Sequence, residues 1–178
     1  VDFRVYDPYG NCWIDFTSTI FVANTGHANP LVAAELKKTI NGKLMHTYTF
    51  AIKVRAEFLE KLVEITPKQF EKAFLLSAGT EATECAVKLM RMHGRKTSPS
   101  RVGIISFRGS MHGRTMAAEM LKGDPESCGW IGYMDPNIHH LEFPYPWTAG
   151  GNVDWGKRFR EDMDKLLKKG VKIKNICG

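Results

Sequence analysis

The sequence predicts an α/β fold, a mainly parallel sheet with flanking helices, and three features point to it. From Phe70 onward, short apolar runs alternate with stretches of helical period, the order that gives parallel strands covered by helices. The apolar runs are too short to be helices and are separated by turn residues. Two of them lead into glycine-bearing turns, at the carboxyl ends of strands where open α/β sheets bind ligands.

The chain opens differently. Val5 to Phe16 alternates apolar and polar residues about Pro8-Tyr9-Gly10-Asn11 and reads as a β-hairpin. Gly26-His27-Ala28-Asn29-Pro30 is a loop leading into a helix near Pro30, since proline is tolerated in a first helical turn. Ala51, Val54, Phe58, Leu62 and Ile65 mark a second amphipathic helix, ended by Thr66-Pro67.

Ala73-Phe74-Leu75-Leu76 is then a short strand, followed by Ser77-Ala78-Gly79-Thr80 and a helix whose expected buried face is Ala82, Cys85, Ala86 and Leu89. Val102 to Phe107, Ile138 to Phe143 and Val171 to Cys177 are the next strands, with a rigid connector from Pro144-Tyr145-Pro146 to Gly151. Trp155, Phe159, Met163 and Leu166 share one face of a further helix, with Asp154 as N-cap and Gly170 as its stop. The chain ends on a strand that no helix covers. We therefore expect a fragment of a longer protein, an edge strand being the alternative.

Composition narrows the function classes. With 178 residues, 43% apolar and 25% charged, the balance is that of a globular protein able to bury a sizeable core. No apolar run is long enough to cross a membrane and no secretory signal is visible at Val1, so a cytoplasmic or organelle-matrix location is expected. The four cysteines lack any C-x-x-C pair, which argues against a zinc site or a disulfide scaffold. Net charge is +6, but residues 155–175 hold eight Lys/Arg against three Asp/Glu, so the excess is local. It reads as the solvated face of an amphipathic helix, and no nucleic-acid partner is expected.

Two stretches carry candidate chemistry. In Ser77-Ala78-Gly79-Thr80 glycine lets a ligand approach the backbone while the free N–H groups of the following helix point outward, which is the arrangement of an anion cradle. The Ser77 and Thr80 hydroxyls would be extra donors. On the local pattern alone, an ordinary strand-to-helix turn with Thr80 as N-cap is the commoner arrangement. The second stretch, Ser110-Met111-His112-Gly113-Arg114-Thr115, follows a strand. His112 can donate, accept or stack, and the planar fork of Arg114 suits a carboxylate, although either residue alone is more often structural.

Taken together and in order, these stretches resemble the class III aminotransferases, the group that contains ornithine and 4-aminobutyrate aminotransferases. The matching pieces are Tyr6 to Asn11 with Ile14-Asp15-Phe16, Gly26 to Pro30, Ser77 to Ala82 with Glu84 to Lys88, His112 to Thr115, and Pro144 to Pro146. The resemblance covers nearly the whole chain. It implies the aspartate-aminotransferase-like fold of pyridoxal 5'-phosphate (PLP)-dependent transferases, with residues 1–50 contributing to a smaller α+β domain and residues 51–178 forming the first part of the large cofactor-binding domain. It also implies a homodimer with shared active sites.

By that resemblance Gly79 and Thr80 hold the cofactor phosphate through backbone N–H groups, with Ser77 beside them, and Arg114 pairs with a substrate carboxylate. The residue before the His-Gly pair is normally aromatic and stacks on the pyridine ring; here it is Met111. A thioether against a ring is worth about 0.3–1.5 kcal/mol, overlapping aromatic stacking, so Met111 or His112 takes that place, with plain core packing the alternative for Met111. The lysine that forms the Schiff base with the cofactor lies beyond Gly178 in this family, so no catalytic residue and no metal ligand is nominated and the segment alone is expected to be inactive. The implied activity is transfer of an amino group from an amine or amino acid to a 2-oxo acid. Racemases, epimerases and aminomutases on the same scaffold are the alternative, followed by a non-enzymatic phosphate-binding α/β module. Tyr48 and Phe21 are further pocket candidates for which burial in the core is the commoner fate.

Overall fold

A computed structural model describes residues 2–43, 49–145, 147 and 153–178. Contacts divide the chain into two compact units, Val1–Ala73 and Phe74–Gly178.

In the first unit β1 (Arg4–Tyr6) and β2 (Cys12–Ile14) pair antiparallel, with Val5 opposite Trp13. Asp7 builds the connecting turn. Its carboxylate accepts from the N–H groups of Tyr9 and Asn11, each at 2.9 Å, and Gly10 supplies the positive φ of +86° that the turn requires. Asp15 organises the next turn, α1 (Ser18–Phe21), accepting from the N–H groups of Thr17 and Thr19. The helix α2 (Pro30–Asn41) begins where expected, because Asn29 caps it by accepting from the Leu31 and Val32 N–H groups ahead of proline. The helix α3 (Lys53–Ile65) also matches, but its sheltered side differs. Leu59, Leu62 and Val63 are half-buried, Val54, Phe58 and Ile65 are exposed, and Ala51 precedes the helix. Periodicity sets the angle between apolar side chains, not what lies against them.

The second unit is built on β3 (Ile104–Phe107) and β4 (Ile138–Leu141), which run parallel with Ile104 opposite Ile138. A third parallel segment starts on the other edge of β3, where Gly103 bridges Ile176, the Cys177 N–H donates to the Gly103 carbonyl at 2.7 Å, and the Ile105 N–H donates to Gly178 at 2.9 Å. Two expected strands are corrected. Val171 to Cys177 is not extended throughout, because Ile173–Asn175 forms a 3-10 turn and pairing begins only at Ile176. Ala73 to Leu76 forms no ladder among the described residues; a strand is defined by its neighbour, and none of these residues supplies one.

The helices α4 (Gly79–Thr97) and α5 (Met116–Lys122) pack on this sheet through Val87, Met120 and Leu121 against Ile104 and Ile138. The expected buried face of α4 is therefore corrected: Ala82, Ala86 and Leu89 are exposed and Cys85 half-buried, while Val87 and Gly94 are buried. Gly94 allows the close approach, since a Cβ there would overlap the Arg101 carbonyl oxygen. A short turn, α6 (Pro125–Cys128), follows α5, and α7 (Trp155–Lys168) runs against β4. Asp154 caps α7 by accepting from the Lys157 N–H at 2.9 Å, and Gly170, at φ +92°, stops it. Trp155, Met163 and Leu166 are half-buried on it, and Phe159 is exposed. The connector's Pro146 and Gly151 lie outside the described residues. No described helix is long and apolar enough to cross a membrane.

Candidate active site

The cradle residues sit at the start of α4. Ala78, extended at φ −146° and ψ 158°, is the N-cap and has no capping hydroxyl, so Gly79 and Thr80 are the first two helical residues and Thr80 is not the cap. Their N–H groups have no acceptor among the described residues, as the opening of a helix requires. The space before Gly79 is open among the described residues, because a Cβ placed there meets nothing within 4 Å. Gly79 needs no special φ, so what glycine contributes is that emptiness.

Ser77 and Glu81 close the lower side of the turn. The Ser77 N–H donates to the Glu81 carboxylate at 3.1 Å and its hydroxyl makes a short bond to the same oxygen. These Ser77 bonds, first the hydroxyl and then the N–H, hold the Glu81 carboxyl below its ordinary range. The Ser77 hydroxyl is thereby committed to Glu81.

The second stretch meets the first at Gly113. A Cβ on Gly113, whose φ is +125°, would overlap the Thr80 side chain, so the loop lies directly on the helix start. Thr80 Oγ1 and Thr115 Oγ1 are 2.7 Å apart, and Thr115 Oγ1 donates to Glu84 Oε1 at 2.6 Å. Glu84 Oε1 also accepts from the Ala117 and Ala118 N–H groups, at 2.9 and 3.3 Å. His112 Nε2 lies 3.3 Å from the hydroxyl of Ser106, a buried residue of β3. Met111 is 69% exposed. Arg114 lines an open cavity of ≈330 Å³ with Met111, Gly113, Glu119 and Trp130, and makes no ion pair among the described residues.

The structure thus joins Gly79 and Thr80 with Gly113 and Thr115, places Met111, His112 and Arg114 on the same loop, and keeps Ser77 beside the cradle. Among the described residues no group of three or more His, Cys, Asp or Glu could hold a metal ion. Phe21 is exposed in the first unit, and Tyr48 lies outside the described residues. Glu84 is the residue that sequence reasoning passed over as part of a site. Its signal was the Thr80-Glu84 spacing of four, which puts both on one helix face.

The family profile of the class-III aminotransferases matches residues 2–178. The chain belongs to that family. A relative, the mitochondrial acetylornithine aminotransferase of Candida glabrata, is 42% identical over 145 residues, covering 78% of this chain and 34% of the relative. The chain spans about a third of the length of the curated relatives it matches. Its fold is shared with a thermostable (S)-enantioselective omega-transaminase from Thermomicrobium roseum, at a TM-score of 0.88 and 24% identity, covering 99% of this chain and 41% of that one. Taurine:2-oxoglutarate aminotransferase from Bifidobacterium kashiwanohense, solved with PLP and glutamate, aligns at a TM-score of 0.80 and 21% identity over 95% of this chain and 38% of that one. The class-III match and the transaminase fold agree with the aspartate-aminotransferase-like reading of the sequence.

Proposed function

We propose that this chain is the phosphate-gripping part of a PLP-dependent aminotransferase, which moves an amino group from an amine or amino acid to a 2-oxo acid. The observation that carries it is the pair of N–H groups at Gly79 and Thr80, without an acceptor among the described residues, at a glycine whose Cβ position is empty among those residues. The residues present fit the cofactor. Two consecutive amides open a helix N-terminus, where an anion gains about 0.3–1 kcal/mol from the macrodipole alone; of the nearby carboxylates, Glu81 accepts from Ser77 and Glu84 from Thr115.

In this reading the Gly79 and Thr80 amides bind the phosphate, and Ser77 and Glu81 are hydrogen-bonded to each other beside it. Met111, exposed on the loop, would lie against the pyridine ring, while His112 is held by Ser106 from β3. Arg114, whose guanidinium makes no ion pair among the described residues and stands at an open cavity, orients a substrate carboxylate. When bound, the cofactor supplies the electron sink for the transfer. The rest of the reading is drawn from the family: a homodimer with shared active sites, a division into residues 1–50 of a smaller domain and 51–178 of the large one, and a cytoplasmic or organelle-matrix location.

The test is Gly79→Asp in the full-length protein, which sets a carboxylate in front of the two amides. PLP affinity, followed by titrating the apo protein and reading visible absorbance, should fall at least about tenfold. Unchanged affinity would remove the cradle.

A further inference from the structure

We infer that Glu84 is a positioning residue for the cofactor site: acting through Thr115 and Thr80, it fastens the loop that carries Met111, His112 and Arg114 to the helix start that grips the phosphate. The inference rests on the cradle reading above and adds to it.

A count of protons gives the bonds a direction. A threonine hydroxyl has one hydrogen, and Thr115 gives its own to Glu84 Oε1 at 2.6 Å. At the 2.7 Å contact with Thr80 the Thr115 oxygen must therefore accept, so Thr80 is the donor there. The order Thr80 to Thr115 to Glu84 uses both hydroxyl protons inside the protein. Thr80 is left with its backbone N–H, not its hydroxyl, to offer an anion, which corrects the expectation of a second hydroxyl donor.

Glu84 has a second task at the same oxygen. Thr115 is the N-cap of α5 but makes no side-chain cap bond of its own, and the N–H groups of Ala117 and Ala118 donate to Glu84 instead. A carboxylate on α4 therefore caps α5, which favours negative charge at that helix start. Gly113, lying on Thr80 where no Cβ fits, completes the joint. The loop is clamped to the helix at Gly113 and Thr115, on both sides of Arg114.

Thr115→Val separates this role from simple capping. Valine has the same shape and removes the hydroxyl bridge, while the Ala117 and Ala118 amides keep Glu84 and α5 stays capped. In the full-length protein, Thr115→Val should raise the dissociation constant for PLP roughly three- to tenfold, with the urea midpoint little changed, and Thr115→Ser should restore affinity to within about twofold of wild type. Wild-type PLP affinity in Thr115→Val, or a loss that Thr115→Ser does not repair, overturns this inference and leaves the cradle standing. A wild-type protein that takes up no PLP overturns both.

Discussion

Arg114 shows how far one residue can be read. An arginine in a loop is usually a solvated charge, and its type alone gives it no task. Its place beside Gly113, which no other residue type could occupy against Thr80, turns a mobile-looking side chain into one with a fixed base at an open cavity. Arg114→Ala in the full-length enzyme should therefore raise KM for a carboxylate-bearing substrate by roughly tenfold or more, as expected for the loss of a charge-assisted hydrogen bond. An unaltered KM takes Arg114 out of the substrate site. Ser77 and Thr80 were legible as hydroxyls near an anion site. That both hydroxyls are spoken for needed coordinates: Ser77 turns to Glu81, and Thr80 turns to Thr115, whose own proton Glu84 has taken.

Among the elements, α4 carries most of the surprise. Its existence and its start follow from the glycine-threonine turn and a long helical period, but its buried side is rotated from the expected one toward Val87 and Gly94. Gly94 makes the point measurable. Alanine in a helix interior is favoured over glycine by about 0.8–1 kcal/mol, which on propensity alone predicts that Gly94→Ala stabilises. Here a Cβ would overlap the Arg101 carbonyl oxygen and crowd Cys177, and overpacking of this kind costs about 1–3 kcal/mol. The clash outweighs the propensity, so Gly94→Ala should lower the urea midpoint with an unchanged m-value. A raised midpoint would show that the helix yields at this crossing.

At the scale of the molecule, proton binding links folding to pH. Burial holds the imidazoles of His139 and His140 on β4 below the ordinary 6.5. The folded protein keeps them neutral at pH values where the unfolded chain would charge them. Their stabilising share is present above pH 6.5 and is lost as the pH falls below it. Carboxylates lose theirs later. Asp15, held down first by the Thr17 hydroxyl and then by His27, and Asp162, held down first by Lys165, are depressed from 3.8, so that share disappears only below this value. Urea midpoints measured from pH 7 to pH 5 should fall, and His139→Gln should flatten the slope; a midpoint that holds or rises over this range contradicts the assignment.

What the sequence determined by itself was local: the hairpin around Asp7 and Gly10, the caps at Asn29 and Asp154, the glycine-threonine turn, and the order of motifs that marks the family. The turns and caps each depend on residues a few positions apart, whose backbone and side-chain geometry is set by their own neighbours, and the motif order is read directly along the chain. Only the tertiary structure decided which face of α4 is buried, that pairing beside Gly103 waits until Ile176, and that Glu84 caps a helix 33 residues further along while holding Thr115. Those outcomes depend on what the fold places opposite a side chain, and helical or strand period fixes direction without naming the partner.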